Sequence, residues 1–280
     1  MEIADKQTMN DGRQIPELGF GTFLSSIEEC YTSCRSALNE GYRHIDTASF
    51  YKNEQAVGQA VRDSKIKREE IFVTTKLWND DQGYDKTMRA FEQSHKNLGL
   101  DYIDLYLIHW PIPQGRENDY ESLNDGTWKA FRKLQEQGVV KSIGVSNFLP
   151  EHIERLKNAS GVTPVVNQIE LHPALTQDET VEYCKANNII VEAWRPILKG
   201  SANSFAPLVE VAKKHNVTAT QVCIRWSLQK GYVPLPKSVH TERIKENANV
   251  FGFSLDDEDM QAIATIEQKR YGSHPLHFGK

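Results

Sequence analysis

Eight times along this chain a short β-branched or aromatic run gives way to a segment with helical spacing. The runs are LGFGTF (18–23), YRHIDTA (42–48), EIFVTTKLW (70–78), DYIDLYLIHW (101–110), VKSIGVSNF (140–148), VVNQIELH (165–172), IIVEAW (189–194) and YVPLPKS (232–238). Between them lie amphipathic stretches such as YDKTMRAFEQSHKNLG, where Met88, Phe91, His95 and Leu98 share one helix face and Gly99 supplies a stop. Thr176 with Glu179, and Ser254 with Asp257, have the spacing of helix-capping boxes. Eight strand–helix units predict a single (β/α)8 TIM barrel over residues 1–280, an α/β fold for which about 250 residues is typical. An open doubly wound sheet would need a glycine-rich phosphate loop after an early strand. GFGTFL has two of those glycines but Leu24 where the third belongs. TMNDGRQIPELG predicts a short N-terminal β-hairpin turning at Asp11-Gly12. PIPQGRENDYESLNDG (111–126) is the longest polar insertion, expected to form a loop at the barrel mouth.

A formal net charge of −5 gives no bulk electrostatic case for nucleic acid or an anionic membrane. Cys30, Cys34, Cys184 and Cys223 form no C-x-x-C pair and no zinc spacing, so they are expected to be packed free thiols, with no metal site. The N-terminal stretch lacks an apolar signal region, and no run is long enough for a membrane span. A cytoplasmic monomer is the expectation.

In such a barrel the chemistry sits at the C-terminal ends of the strands. Asp46 ends the second predicted strand, Lys76 the third and His109 the fourth, while Tyr51 lies in the loop after the second. These four therefore converge on one mouth. An ammonium beside a tyrosine lowers the phenol pKa, a carboxylate compensates the buried lysine, and a histidine can orient a substrate oxygen. The set suits general-acid protonation of a carbonyl oxygen. Taken singly, Asp46 is also compatible with a loop cap, Lys76 with a snorkelling side chain and His109 with a core histidine.

The stretches GYRHIDTASFYKNE, TTKLW, DYIDLYLIHWP, GVSNF, NQIELHP and LPKSVHTERIKEN together carry a likeness. The chain resembles the aldo-keto reductase family over nearly its whole length, and most of all its compact microbial and protozoan members, the 2,5-diketo-gluconate reductase-like and prostaglandin F synthase-like enzymes. The resemblance implies NADPH-dependent reduction of aldehydes and ketones, with hydride passing from the nicotinamide C4 and Tyr51 as general acid. Lys76 paired with Asp46 would tune Tyr51, and His109 would orient the carbonyl. It further implies that Ser146, Asn147 and Gln168 hold the nicotinamide carboxamide, and that Trp194 stacks on the ring. Lys237, Ser238 and Arg243 would take the adenosine 2′-phosphate, with Glu246 and Asn247 near the adenine. Phe23, Trp78 and Trp110 would line the pocket for a small-molecule carbonyl substrate.

One position departs from the family pattern. Arg195, in EAWRPI, stands where a serine near the cofactor pyrophosphate is usual. Two placements are open to it: a charge-assisted contact with that pyrophosphate, or a side chain swung into solvent. Two other classes share parts of the pattern. A Schiff-base aldolase would use Lys76 as nucleophile but leaves Lys237, Ser238 and Arg243 without a role. A cofactor-binding sensor subunit would bind NADPH and turn over poorly.

Overall fold

The computed structural model describes residues 2–278. A two-stranded antiparallel hairpin, β1 (Lys6–Thr8) and β2 (Gln14–Pro16), opens the chain and turns at Asp11-Gly12 as expected. Eight parallel strands follow: β3 (Phe20–Gly21), β4 (His44–Asp46), β5 (Phe72–Leu77), β6 (Ile103–Ile108), β7 (Val140–Ser146), β8 (Val166–Glu170), β9 (Ile190–Trp194) and β10 (Val233–Pro234). Each pairs with its sequence neighbour. Gly19 N–H donates to Pro234 O at 3.0 Å and Gly21 N–H to Pro236 O at 3.1 Å, which joins the last strand to the first and closes the (β/α)8 barrel.

The helices are α1 (Ile27–Asn39), α2 (Glu54–Asp63), α3 (Tyr84–Leu98), α4 (Tyr120–Glu136), α5 (Pro150–Ser160), α6 (Asp178–Ala186), α7 (Ala206–His215), α8 (Ala219–Gln229), α9 (Thr241–Ala248) and α10 (Asp257–Ala264). Their apolar faces bury the main core against the outside of the barrel. A second apolar cluster lies inside the barrel at the strand starts, where Met9 and Ile15 of the hairpin meet Phe72, Val166, Ile190 and Val233. The hairpin thus plugs the N-terminal end, and the opposite end is left for the site. All four cysteines are free and buried, with Cys30 and Cys34 on one face of α1, their sulfurs 4.0 Å apart. No helix among the described residues is long and apolar enough to cross a membrane.

Three local expectations are corrected. The polar insertion after β6 becomes helical from Tyr120, inside the stretch 111–126 read as loop. Asn124 Nδ2 donates to Pro111 O, and Arg155 clamps Asp125 from α5, so tertiary bonds hold the first turns of α4 in place despite Gly126. The box of Thr176 with Glu179 does not form, because Gln177 takes the cap position of α6 and Thr176 bonds Gln268 instead. For α10 the box is built two residues later, from Asp256 and Asp259, while Ser254 Oγ accepts from Arg225. In each case a long-range partner outcompetes the local one.

Gly58, in the middle of α2, permits a close approach of α2 to the end of α3. A Cβ there would lie 1.7 Å from Leu98 O, a backbone atom at the end of α3. Gly99 ends α3 at φ 58°, so that turn cannot easily give way. Gly58→Ala is therefore expected to destabilise the fold by about 3 kcal/mol or more, measured by urea denaturation.

Candidate active site

The stretch GYRHIDTASFYKNE divides into scaffold and site. Arg43 gives Nη1 to Leu38 O and Tyr42 O, and Glu54 accepts from Thr75 Oγ1 at 2.6 Å, so both are structural. Asn53 is the hinge of the loop: its Oδ1 accepts from Thr47 Oγ1 at 2.7 Å and its Nδ2 donates to Thr22 O at 2.9 Å. A single 3-10 turn, Ser49–Tyr51, follows β4 and is fastened to β5 by Ser49 Oγ donating to Lys76 O at 3.0 Å. That turn brings Tyr51 back over the strand ends.

Lys76 is wholly buried, and its ammonium donates to Asp46 Oδ1 and Oδ2 at 2.7 and 2.8 Å and to Thr47 O at 3.0 Å. Tyr51 Oη lies 3.5 Å from the same nitrogen. His109 stands edge-on to Tyr51, ring centroids 5.7 Å apart. The four residues, drawn from the ends of three strands, are together in one site. Burial pulls the Lys76 pKa down, but Asp46 and Tyr51 outweigh it and hold the group above the ordinary lysine value. Burial, with Lys76 adding to it, drives His109 well below the ordinary histidine value, so the ring is neutral at neutral pH. The expected lowering of the Tyr51 pKa is corrected: burial raises it most, Lys76 pulls it down by less than that, and Asp46 adds to the rise, so the net shift is upward. Tyr51 therefore keeps its proton at neutral pH.

The neighbouring strand ends carry the predicted amide and indole groups. Ser146 Oγ donates to Gln168 O at 2.8 Å. Asn147, in the left-handed region at φ 64°, gives Nδ2 to His109 O at 2.9 Å, and its Oδ1 accepts from Trp194 Nε1 at 2.9 Å. Asn147 is thus a joint between the histidine strand and the indole. Gln168 Nε2 donates to Asp46 Oδ2 at 2.9 Å and to Glu192 Oε2 at 2.8 Å. Lys237 is half-buried and Arg243 exposed, and neither has a hydrogen bond or ion pair among the described residues. Ser238 is buried and accepts from His240 N. Glu246 accepts from Thr218 Oγ1 at 2.8 Å, and Asn247 is buried on α9.

Aromatic rings wall the mouth. Phe23 lies 5.0 Å from Tyr51 between centroids, Trp78 5.2 Å from His109, and Trp110 is buried beside Trp194. Two rings were missed from sequence. Phe50 stacks on Trp78 at 3.8 Å, and Phe278 tilts against Trp110 at 4.5 Å. Phe50 sits one residue before Tyr51 and was legible as a neighbour of the site; Phe278 comes from the far end of the chain and gave no signal.

Arg195 turns back on the protein. Its guanidinium lies over the Trp194 ring at 5.2 Å, and Nη1 is 3.8 Å from Glu170 Oε1. Glu170, fully buried, accepts the backbone N–H groups of Tyr271 and Gly272 at 2.9 and 2.8 Å and also faces His172 and Arg270. Burial works against the anion, but His172 and the two amides hold the Glu170 carboxyl below its ordinary range. This carboxylate ties the C-terminal segment to the end of β8. Gly272 then rests against the back of Trp194, where an added Cβ would be 2.3 Å from the indole.

Known proteins resemble this chain along nearly its whole length. The Aldo/keto reductase family model matches residues 17–268. The glyoxal reductase of Bacillus subtilis is 44% identical over 275 residues, covering 98% of this chain and 97% of that protein. Methylglyoxal reductase DkgA of Escherichia coli K12 is 44% identical over 274 residues, covering 97% of each. Among solved structures, a Gox0644 mutant in complex with NADPH superposes with a TM-score of 0.90 at 46% identity, covering 97% of each chain.

Two outcomes test the tether. Gly272→Ala should push the Trp194 indole aside, seen as a changed near-ultraviolet circular dichroism band with the helical signal retained. Glu170 holds a depressed folded pKa, so its stabilisation is present above the unfolded carboxyl value of about 4.3 and is lost as pH falls through the folded one. Glu170→Gln should therefore melt below wild type at neutral pH, and the gap should close on acidification. A gap that stays constant with pH would show that the charge is not what matters.

Proposed function

The chain belongs to the aldo/keto reductase family, an oxidoreductase family acting on carbonyl groups, and from that premise we propose that it reduces small aldehydes and activated ketones to alcohols with NADPH. The observation that carries the reading is a protonated tyrosine held 3.5 Å from a buried ammonium at a mouth walled by aromatic rings.

The groups at the mouth fit the cofactor. Gln168 spends both amide hydrogens on the side-chain oxygens of Asp46 and Glu192, which leaves Oε1 to accept from a carboxamide. Ser146 and Asn147 flank it, and Trp194 offers an indole braced from behind by Gly272. Lys237 and Arg243, two cations without ion-pair partners among the described residues, stand at the start of α9 with Ser238 and suit a 2′-phosphate. Glu246 and Asn247 lie one helical turn further, toward the adenine. Arg195 rests over Trp194 and toward Glu170, with Nη1 lacking a hydrogen bond; a swing of its guanidinium away from Glu170 would bring that charge to the pyrophosphate.

NADPH supplies the hydride when bound. The protein supplies the proton and the orientation. Tyr51 O–H donates to the carbonyl oxygen, and the phenolate left behind is stabilised by the Lys76 ammonium, which Asp46 keeps in place. The neutral His109 ring offers an N–H to the same oxygen and fixes the carbonyl against Tyr51. Phe23, Trp78, Trp110, Phe50 and Phe278 exclude water and favour compact substrates, in keeping with the dicarbonyl substrates in the relatives' names. Lys76 has three acceptors and a raised pKa, so it lacks the neutral amine that a Schiff-base aldolase requires. Four buried thiols fit a reducing compartment such as the cytoplasm, and nothing in the site asks for a second subunit.

Oxidation of NADPH with glyoxal, methylglyoxal and a panel of larger aldehydes tests the activity. Tyr51→Phe is expected to lower kcat by about 10²–10⁴-fold with NADPH affinity close to wild type. Full activity in that variant overturns the proton-donor role, and no turnover of any carbonyl by wild type overturns the reading itself. Arg195→Ser is expected to bind NADPH more weakly and with a shallower salt dependence; equal affinity and slope would remove the pyrophosphate contact.

A further inference from the structure

Glu192 lies in the middle of β9, wholly buried, in a strand otherwise apolar. It pairs in register with Gln168 on β8 and Val233 on β10. Its Oε2 accepts from Gln168 Nε2 at 2.8 Å, and the other hydrogen of that amide goes to Asp46 Oδ2 at 2.9 Å. Two acids therefore flank a single nitrogen, and one ammonium, that of Lys76, serves both. Lys76 is already committed to Asp46 through two bonds.

The second oxygen, Glu192 Oε1, is sealed from solvent with no hydrogen-bond partner. The nearest basic group is His44 Nε2 at 3.6 Å, too far for a hydrogen bond, and that nitrogen meets Thr74 Oγ1 at 3.0 Å. A buried carboxylate oxygen with no donor is costly, whereas a buried carboxylic acid carries its proton on that atom without charge.

We propose that Glu192 is a proton-holding positioning residue of the site: as the neutral acid it leaves Asp46 and Lys76 as the sole charged pair beneath Tyr51, and it fixes the amide of Gln168 with Oε1 free. The charged and titratable groups that face it are His44 and Asp46 from β4 and Lys76 from β5. β8 presents only the neutral Gln168, and β10 presents Val233. Burial first, then Asp46, raises the Glu192 carboxyl to about 8, while burial and Lys76 lower His44 to about 3. Both groups are thus neutral across the physiological range. When Glu192 ionises, a second anion arrives beside Lys76, the ammonium is shared, and the phenolate form of Tyr51 loses support. The acid is weakened, and carbonyl reduction slows.

The kinetic consequence rests on the reductase reading; the protonation state does not, and the two can be measured separately. Infrared spectroscopy of the wild-type protein should find a protonated carboxyl C=O band at neutral pH that disappears as pH rises through about 8, and that is absent from Glu192→Gln. Glutamine keeps an acceptor for Gln168 and copies the uncharged acid. The ratio of Glu192→Gln to wild-type kcat for aldehyde reduction should therefore rise by about threefold or more from acidic to alkaline pH. Absence of the band in wild type overturns the proposal whether or not the variant folds. A band present with a ratio flat across pH removes the link to Tyr51. Absence of turnover in both proteins, with the band present, points instead to failure of the reductase reading.

Discussion

A lysine that never meets water is the constraint around which this molecule is arranged. Lys76 lies on a central strand, and its ammonium exists as a cation only because Asp46, one strand away, gives it both carboxylate oxygens. Removing either partner would leave a buried charge unpaired, a loss of about 3–5 kcal/mol in comparable pairs. Thr47 O and Tyr51 complete the shell, so the loop after β4 must fold back for the same reason that the pair must exist. The 3-10 turn, the Asn53 hinge and the Ser49 bond to Lys76 O are the local means by which that loop is held.

Most of the fold was legible because the strand–helix period repeats eight times and each strand runs in β-branched residues. Asp46, Lys76 and His109 were legible because a parallel barrel puts every strand end at one mouth. What sequence did not yield depends on contacts between distant segments. The caps of α6 and α10 were misplaced because Gln268 and Arg225 compete for Thr176 and Ser254. The direction of the Tyr51 shift follows from burial, which distant segments create and no local spacing reveals. Glu192 left a trace, a lone acid in IIVEAW, but its partners Gln168 and His44 come from β8 and β4. Arg195 was read as pointing to solvent or cofactor, and neither option included Glu170 and the C-terminal segment.

That segment shows how the site borrows from the end of the chain. Glu170 captures two backbone amides, Gly272 presses on Trp194, and Phe278 reaches Trp110 and Trp78. Trp194 in turn is bonded to Asn147, and Asn147 to the backbone of His109. A displacement of the last turns of chain would therefore be felt at the histidine through a short series of direct contacts.

The hydrogen bonds from Gly19 and Gly21 to Pro234 and Pro236 join segments that are far apart in the sequence. Until they form, the barrel has an open seam, and water has a path to the ammonium between its first and last strands. An intermediate with seven strands in place could have native-like helices and still lack a dry Lys76. Such a species would bear the right residues in nearly the right places and yet be inert. Competence at Tyr51 is in this sense a property of the closed ring, completed where the segment of β3 meets that of β10.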